Sequence, residues 1–354
     1  MATFERILII KPSSLGDVAT ALPMLCDLKA AYPAAQIDWL IHPSLTAVIE
    51  GHDALHELIP FDRKRLAAWW YKPSSFRLFG QLLRKLRSKK YDLVIDAQGL
   101  FRSAFLARIT GAKRRVGFAN AREGAPLVYT DKVRLPEAGK KMLAVDRMRA
   151  LAAAVGGNIS GKAQFRLPIL PAALDAAHAL LLSAGLGEVR PFIVVIPGAR
   201  WNTKRWDIDR YTQIVEKLLQ NGEEVLLMGS PDEKPLCDQI ETTLKSKGPA
   251  LKNLAGKTGL KEMIAILNRA KLIFGNDSGP LHVAVALGKR TLSIYGPTSP
   301  AFVGPYGQLA NVIRHEVECH PCRRKECDHH SCMKGVTVEL VWERAKKMLP
   351  AGRP

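Results

Sequence analysis

Short apolar runs alternate with amphipathic stretches along most of the chain. RILIIK (6–11), QIDWLI (36–41), HELIPF (56–61), YDLVIDA (91–97) and RRVGF (114–118) are short, apolar and bounded by turn-forming residues, which predicts strands. Between them lie stretches with helical spacing, such as DVATALPMLCDLKAA and the basic FGQLLRKLRSKK. Strand–helix alternation of this kind predicts a mostly parallel, doubly wound α/β sheet. The rhythm breaks from about Arg134 to Leu170, where the helix-like KKMLAVDRMRALAAAVG precedes the polar GNISGKAQ. It restarts with RPFIVVIPG (190–198), EVLLMG (224–229), LIFGND (272–277) and RTLSIYG (290–296). Two α/β domains in series are expected, 1–170 and 171–354, with a cleft between facing sheet edges. A length of 354 residues exceeds one ordinary core and suits two.

Composition excludes several classes. With 47% hydrophobic and 24% charged residues the chain is globular rather than disordered. No apolar run approaches the roughly 18 residues of a membrane helix. The N-terminus, MATFERILII, has neither the basic region nor the cleavage site of a signal peptide, so a cytoplasmic chain is expected. The net charge of +19 is uneven: Pro60 to Arg122 holds 16 Lys/Arg against three Asp/Glu. An anionic membrane surface or an acidic substrate fits such a stretch, as does a basic surface with no partner. Nucleic acid is not expected, because no nucleic-acid-binding motif accompanies the charge.

Candidate chemistry lies where strands end. No G-x-G-x-x-G follows the first strand and no G-x-x-x-x-G-K-[ST] occurs, which argues against a dinucleotide dehydrogenase or a P-loop NTPase. SSLGDVATALP sets Asp17 at the mouth of a helix, either as its cap or as an active-site carboxylate. In FGNDSGPLH, Asp277-Ser278-Gly279 opens a helix whose N–H groups suit a phosphate, with Gly279 allowing close approach. A carboxylate there would repel phosphate unless it serves sugar hydroxyls; otherwise Asp277 or Ser278 is a cap and His282 a core histidine. In PGARWNTKRW, Lys204 could neutralise a leaving diphosphate, while the flanking tryptophans pack the loop. In GSPDEK, Glu233 could accept from a ribose diol or serve as a first-turn helix acid. A cation, a phosphate-binding helix start and a ribose acceptor suggest a nucleoside diphosphate compound. With Asp17 as base on the other domain, they describe glycosyl transfer.

KPSSLGDV, DAQGLFRSA, NAREG, WNTKRW, GSPDE, NDSGPLH and YGPT together resemble the bacterial lipopolysaccharide heptosyltransferases, the ADP-heptose glycosyltransferases of family 9. The resemblance runs in order through nearly the whole chain. It implies a GT-B fold of two Rossmann-like domains, an inverting mechanism and no required metal. It makes Asp17 the catalytic base, and Lys204, Glu233 and Asp277 the readers of phosphate, ribose and heptose. Thr258 falls at the adenine pocket, and Arg122 with Arg63, Lys64 and Arg65 faces the acidic inner-core acceptor. ADP-heptose and Kdo-lipid A are the implied substrates, met at the cytoplasmic face of the inner membrane. DAQGL and NAREG lean toward heptosyltransferase I. The alternatives are heptosyltransferase II, a relative with another sugar or acceptor, and a catalytically idle nucleotide-sugar binder. Ala199 and Arg200 stand where a close heptosyltransferase I offers two threonines to the phosphates.

Four of the six cysteines crowd into CHPCRRKECDHHSC, as Cys319, Cys322, Cys327 and Cys332. Their C-x2-C-x4-C-x4-C spacing suits either a tetrahedral zinc or iron site or a set of reduced or regulatory thiols. Cys26 and Cys237 lie alone in helical patterns and read as buried small hydrophobes.

Overall fold

The apolar runs form strands gathered in two six-stranded sheets, parallel at every pairing. The structure, a computed structural model, describes residues 3–68, 70–136, 142–186 and 191–349. Lys140 and Lys141 of the helix-like run and Arg190 of the RPFIVVIPG run lie outside these. The chain divides into two units, Met1–Pro168 and Ile169–Pro354.

The first unit runs β1 (Arg6–Ile10), α1 (Leu15–Ala31), β2 (Gln36–Ile41), β3 (Glu57–Pro60), α2 (Arg63–Leu66), α3 (Pro73–Ser88), β4 (Leu93–Asp96), α4 (Phe101–Ile109), β5 (Arg114–Phe118), β6 (Asp131–Val133) and α5 (Ala144–Ala153). Its sheet order is β3-β2-β1-β4-β5-β6, so the direction of growth reverses between β1 and β4. Central strands covered on both faces must be apolar throughout, which is why they read as unbroken runs. Right-handed crossovers put α1 on one face and α3 and α4 on the other. Under α3 and α4, Leu8, Ile10, Leu40 and Val94 meet Leu82, Leu86 and Leu106. On the opposite face α5 packs against α1. The buried Arg149 of α5 grips Asp27 of α1 through Nε at 2.7 Å and a second nitrogen at 3.1 Å. Cys26 is buried in α1, and burial pushes its thiol up to about 11.

The second unit runs α6 (Pro171–Ser183), β7 (Phe192–Ile196), α7 (Ile208–Gln220), β8 (Glu224–Leu227), α8 (Lys234–Leu244), β9 (Leu251–Asn253), α9 (Leu260–Arg269), β10 (Leu272–Asn276), α10 (Gly279–Ala286), β11 (Thr291–Tyr295), α11 (Pro300–Val303), β12 (Val312–Arg314), α12 (Ser331–Lys334) and α13 (Val338–Met348). Its order, β12-β11-β10-β7-β8-β9, repeats the first unit's winding, with the reversal between β7 and β10. Ile193, Val195 and Phe274 of the sheet pack on Tyr211, Ile214 and Leu218 of α7, and α13 closes that side with Val341 and Ala345. Cys237 is buried in α8, its thiol pushed up to about 12 by burial. The edge strands β6, β9 and β12 are three residues each and carry no apolar run that announces them.

Candidate functional site

Open α/β sheets bind ligands beyond the carboxyl ends of their strands, at the point where strand order reverses. In the second unit that point holds Lys204, after β7, and Asp277, after β10. The Lys204 Nζ donates to Asp277 Oδ2 at 2.6 Å, and the Thr298 hydroxyl, after β11, donates to the same oxygen at 2.6 Å. His282 Nε2 stands 3.7 Å from the other oxygen, Oδ1. Burial would push the Asp277 carboxyl up, but His282 and the Lys204 charge outweigh it and hold it down at about 2. Asp277 is therefore an ionised, buried carboxylate with its charge locally balanced. Sequence reasoning misses Thr298, the last residue of the YGPT motif; its signal is a short polar side chain following the strand next to β10.

Neither side chain proposed as a helix cap performs that task at α10. Asp277 is engaged as above, and the Ser278 hydroxyl makes no cap bond and is buried without a partner. No side chain caps the N–H groups at the start of α10, those of Gly279 and Leu281 (Pro280 has none), and a phosphate is the group such a helix start best accommodates.

Glu233 follows β8 and accepts from the Ser230 N–H at 2.9 Å and from its hydroxyl at 3.0 Å. Gly198, at the end of the β7 segment, makes room for it: a Cβ there would lie inside the Glu233 carboxyl group. Thr258 lies between β9 and α9, half-buried. Since the sheet runs β10-β7-β8-β9, the edge presents Asp277, Lys204, Glu233 and Thr258 in that order. At the usual strand spacing the row extends roughly 14 Å.

The two tryptophans of WNTKRW part company. Trp206 is buried against Tyr211 and Phe274, whereas the Trp201 ring lies 4.9 Å from Lys204 Nζ and 5.7 Å from Lys325 Nζ. Ala199 is buried and Arg200 exposed.

Lys325 belongs to the cysteine-rich segment, which braces this loop: the Thr203 hydroxyl donates to the Arg324 carbonyl at 2.8 Å, and His330 Nε2 lies 2.8 Å from the Thr203 carbonyl. Cys332 is buried, Cys322 and Cys327 are half-buried and Cys319 is exposed. Burial and the three neighbouring cysteines push the Cys332 thiol up. Among the described residues, the set of three candidate metal ligands whose atoms lie within 4.8 Å of one another is Asp38, His56 and Glu57. That acidic set is neutralised by Lys85 and Lys89, both paired with Glu57.

In the first unit Asp17 follows β1 and both readings of it have a physical basis. Its Oδ2 accepts from the Ser14 N–H at 3.0 Å and the Ser14 hydroxyl at 2.6 Å, closing a capping box on α1. Its side chain is nonetheless 52% exposed, and Oδ1 stands 3.9 Å from the buried Lys11 Nζ. Across the reversal point, the buried Asp96 at the end of β4 accepts from the Gln98 and Gly99 N–H groups, Ser103 and Tyr129. Those bonds hold the DAQGL turn, in which Gly99 has φ +67° and lies against Ala121. Arg122 is exposed beside this turn, its N–H donating to the Gly99 carbonyl at 3.0 Å. Arg63, Lys64 and Arg65 form the exposed α2 after β3, whose N-terminus Asp62 caps. All of them, with Asp17, stand at the carboxyl edge of one sheet; β3 and β5 each lie two strands, about 10 Å, from β1.

A family model described as glycosyltransferase family 9 (heptosyltransferase) matches residues 79–333. The chain is 30% identical to lipopolysaccharide heptosyltransferase 1 of Pseudomonas aeruginosa over 92% of its own length and 88% of that protein. It is 29% identical to lipopolysaccharide heptosyltransferase 2 of Salmonella typhimurium over 97% and 98%. The solved structure of the Escherichia coli heptosyltransferase WaaC with ADP superposes with a TM-score of 0.78 at 24% identity, covering 97% of this chain and all of that one. The expected GT-B fold of two Rossmann-like units is the one this chain has.

Proposed function

The chain belongs to glycosyltransferase family 9, the heptosyltransferases, and we propose that it transfers heptose from ADP-L-glycero-D-manno-heptose to the Kdo of the lipopolysaccharide inner core. The observation that carries this reading is the order of side chains along the second unit's edge. Asp277, Lys204, Glu233 and Thr258 succeed one another as sugar, diphosphate, ribose and adenine do in the donor. The likeness to both heptosyltransferases 1 and 2 supports the reaction class. The DAQGL and NAREG motifs favour Kdo, the acceptor of heptosyltransferase I, over a heptose acceptor.

In the proposed step the Asp17 carboxylate takes the proton of the Kdo hydroxyl, whose oxygen forms the new bond to the anomeric carbon as the bond to ADP breaks. The configuration inverts, and ADP leaves with the electron pair. General-base help of this kind contributes about 10²–10⁴-fold. Lys204 and the uncapped N–H groups of α10 meet the charge gathering on ADP, so no metal is assigned to the step. Asp277 accepts from heptose hydroxyls with the lone pairs that Lys204 and Thr298 leave open.

The test is a transfer assay with ADP-heptose and Kdo₂-lipid A, reading ADP release and acceptor mass. Asp17→Asn keeps an oxygen for the Ser14 cap and removes the base, so it should fold normally and lose about 10²–10⁴ in turnover. A near-normal rate in this variant refutes the base. ADP release without a heptose-sized mass gain refutes the acceptor and leaves the donor standing.

A further inference from the structure

We infer that the first unit docks on an anionic lipid surface through the outer sides of α3 and α4 and the loops at their N-terminal ends. Single exposed apolar side chains are ordinary; a cluster of them among cations is not. Every exposed aromatic side chain among the described residues lies between 70 and 105: Trp70, Tyr71, Phe76, Phe101 and Phe105. Trp70 is 73% exposed, and Leu127, in the turn packed against α4, is 87% exposed. Three of these aromatics sit just before or within the first turn of α3, and Phe101 opens α4. Helix α3 neighbours α4, and α4 neighbours the Leu127 turn, so these side chains stand on adjacent elements over one face of the sheet.

Cations are interleaved with these rings. Lys72, Arg77 and Arg102 are exposed beside them, and Arg84, Arg87 and Arg108 continue along the outer sides of the same helices. The carboxylates nearby are fewer than these cations. Asp96 is buried, Asp62 caps α2, and Asp92 stands at the opposite edge of the sheet, bonded to the Glu5 and Arg6 N–H groups. Glu123 accepts from the Phe101 N–H. Aromatic rings and arginines presented together suit the headgroup region, where rings bury in the acyl boundary and cations meet lipid phosphate. Polyanions without an apolar layer, such as nucleic acid, would use the cations and leave these six aromatic and aliphatic side chains in water.

The aromatic cluster stands at the carboxyl edge of the sheet, where Asp17 also lies. Docking there would bring that edge to the lipid surface; that use rests on the transfer proposed above, whereas the docking itself does not.

The experiment is sedimentation of the full chain with phosphatidylcholine vesicles, with and without phosphatidylglycerol, at low and high salt. Two variants accompany it: Trp70→Ser/Phe76→Ser/Phe101→Ser, and Arg77→Gln/Arg102→Gln. The chain should sediment only with phosphatidylglycerol present and release in high salt. Each arginine removed should weaken binding about fivefold. The aromatic variant should lose at least as much while keeping the salt dependence. Transfer to a water-soluble Kdo acceptor should be unchanged in both variants. Failure to sediment with phosphatidylglycerol, an aromatic variant that binds like the parent, or preference for DNA over vesicles would each overturn the inference. Loss of transfer to the soluble acceptor would also overturn it, by moving these side chains to the acceptor site. Absence of vesicle binding with transfer intact would leave the proposed reaction standing.

Discussion

Replacing Lys204 with alanine should cost the second unit stability and the proposed reaction its rate, for separable reasons. The Asp277 side chain is 5% exposed and its charge is met at 2.6 Å by Lys204, itself 17% exposed. Removing one partner of a buried pair strands the other and typically costs about 3–5 kcal/mol. Thr298 at 2.6 Å and His282 at 3.7 Å remain, which places the expected loss at the low end, about 3 kcal/mol. For a unit of this size that lowers the melting temperature by about 6–12 °C in calorimetry. Adding Asp277→Asn removes the stranded charge, so the double variant should be about 1–2 kcal/mol more stable than Lys204→Ala alone. Turnover should not return with it, because the cation facing the leaving diphosphate is still missing, a loss of about 10²–10³. A double variant no more stable than the single one refutes the stranded-charge argument. A Lys204→Ala enzyme of normal rate refutes the role at the diphosphate.

Two further outcomes follow from the same site. The Asp277 carboxyl is held at about 2, below its ordinary 3.8, so its contribution to stability is complete above about pH 4 and is lost as pH falls toward 2. That contribution is about 2 kcal/mol, and the acid limb of the stability curve should flatten in Asp277→Asn, an outcome read by urea unfolding across that range; an unchanged limb refutes the assignment. Gly198→Ala puts a methyl group into the Glu233 carboxyl, displacing the proposed ribose acceptor. The KM for ADP-heptose should rise about tenfold, the worth of one hydrogen-bonded charged group, with little change in kcat; steady-state kinetics with an unchanged KM would remove Glu233 from the donor site.

The strands β1, β2, β4, β7, β10 and β11 were legible because each is buried on both faces and must be apolar throughout. The edge strands DKV, LKN and VIR were not, because a three-residue strand with one open side needs no apolar run. The site was legible to the same depth. Asp17, Lys204, Glu233 and Asp277 stood out by following strands, and strand position is a local property. Their partners were hidden: Lys204 meets Asp277 across 73 positions of chain, and Thr298 completes the group only because β11 lies beside β10. The bracing of the Lys204 loop by the cysteine-rich segment was equally invisible, since Thr203 and Arg324 are 121 positions apart. The periodicity of apolar residues by itself determined two parallel, doubly wound units and the strand ends that carry polar side chains. Only the tertiary structure decided which strand ends adjoin, and so which charges balance each other, because adjacency in a sheet is set by crossover and packing rather than by order along the chain.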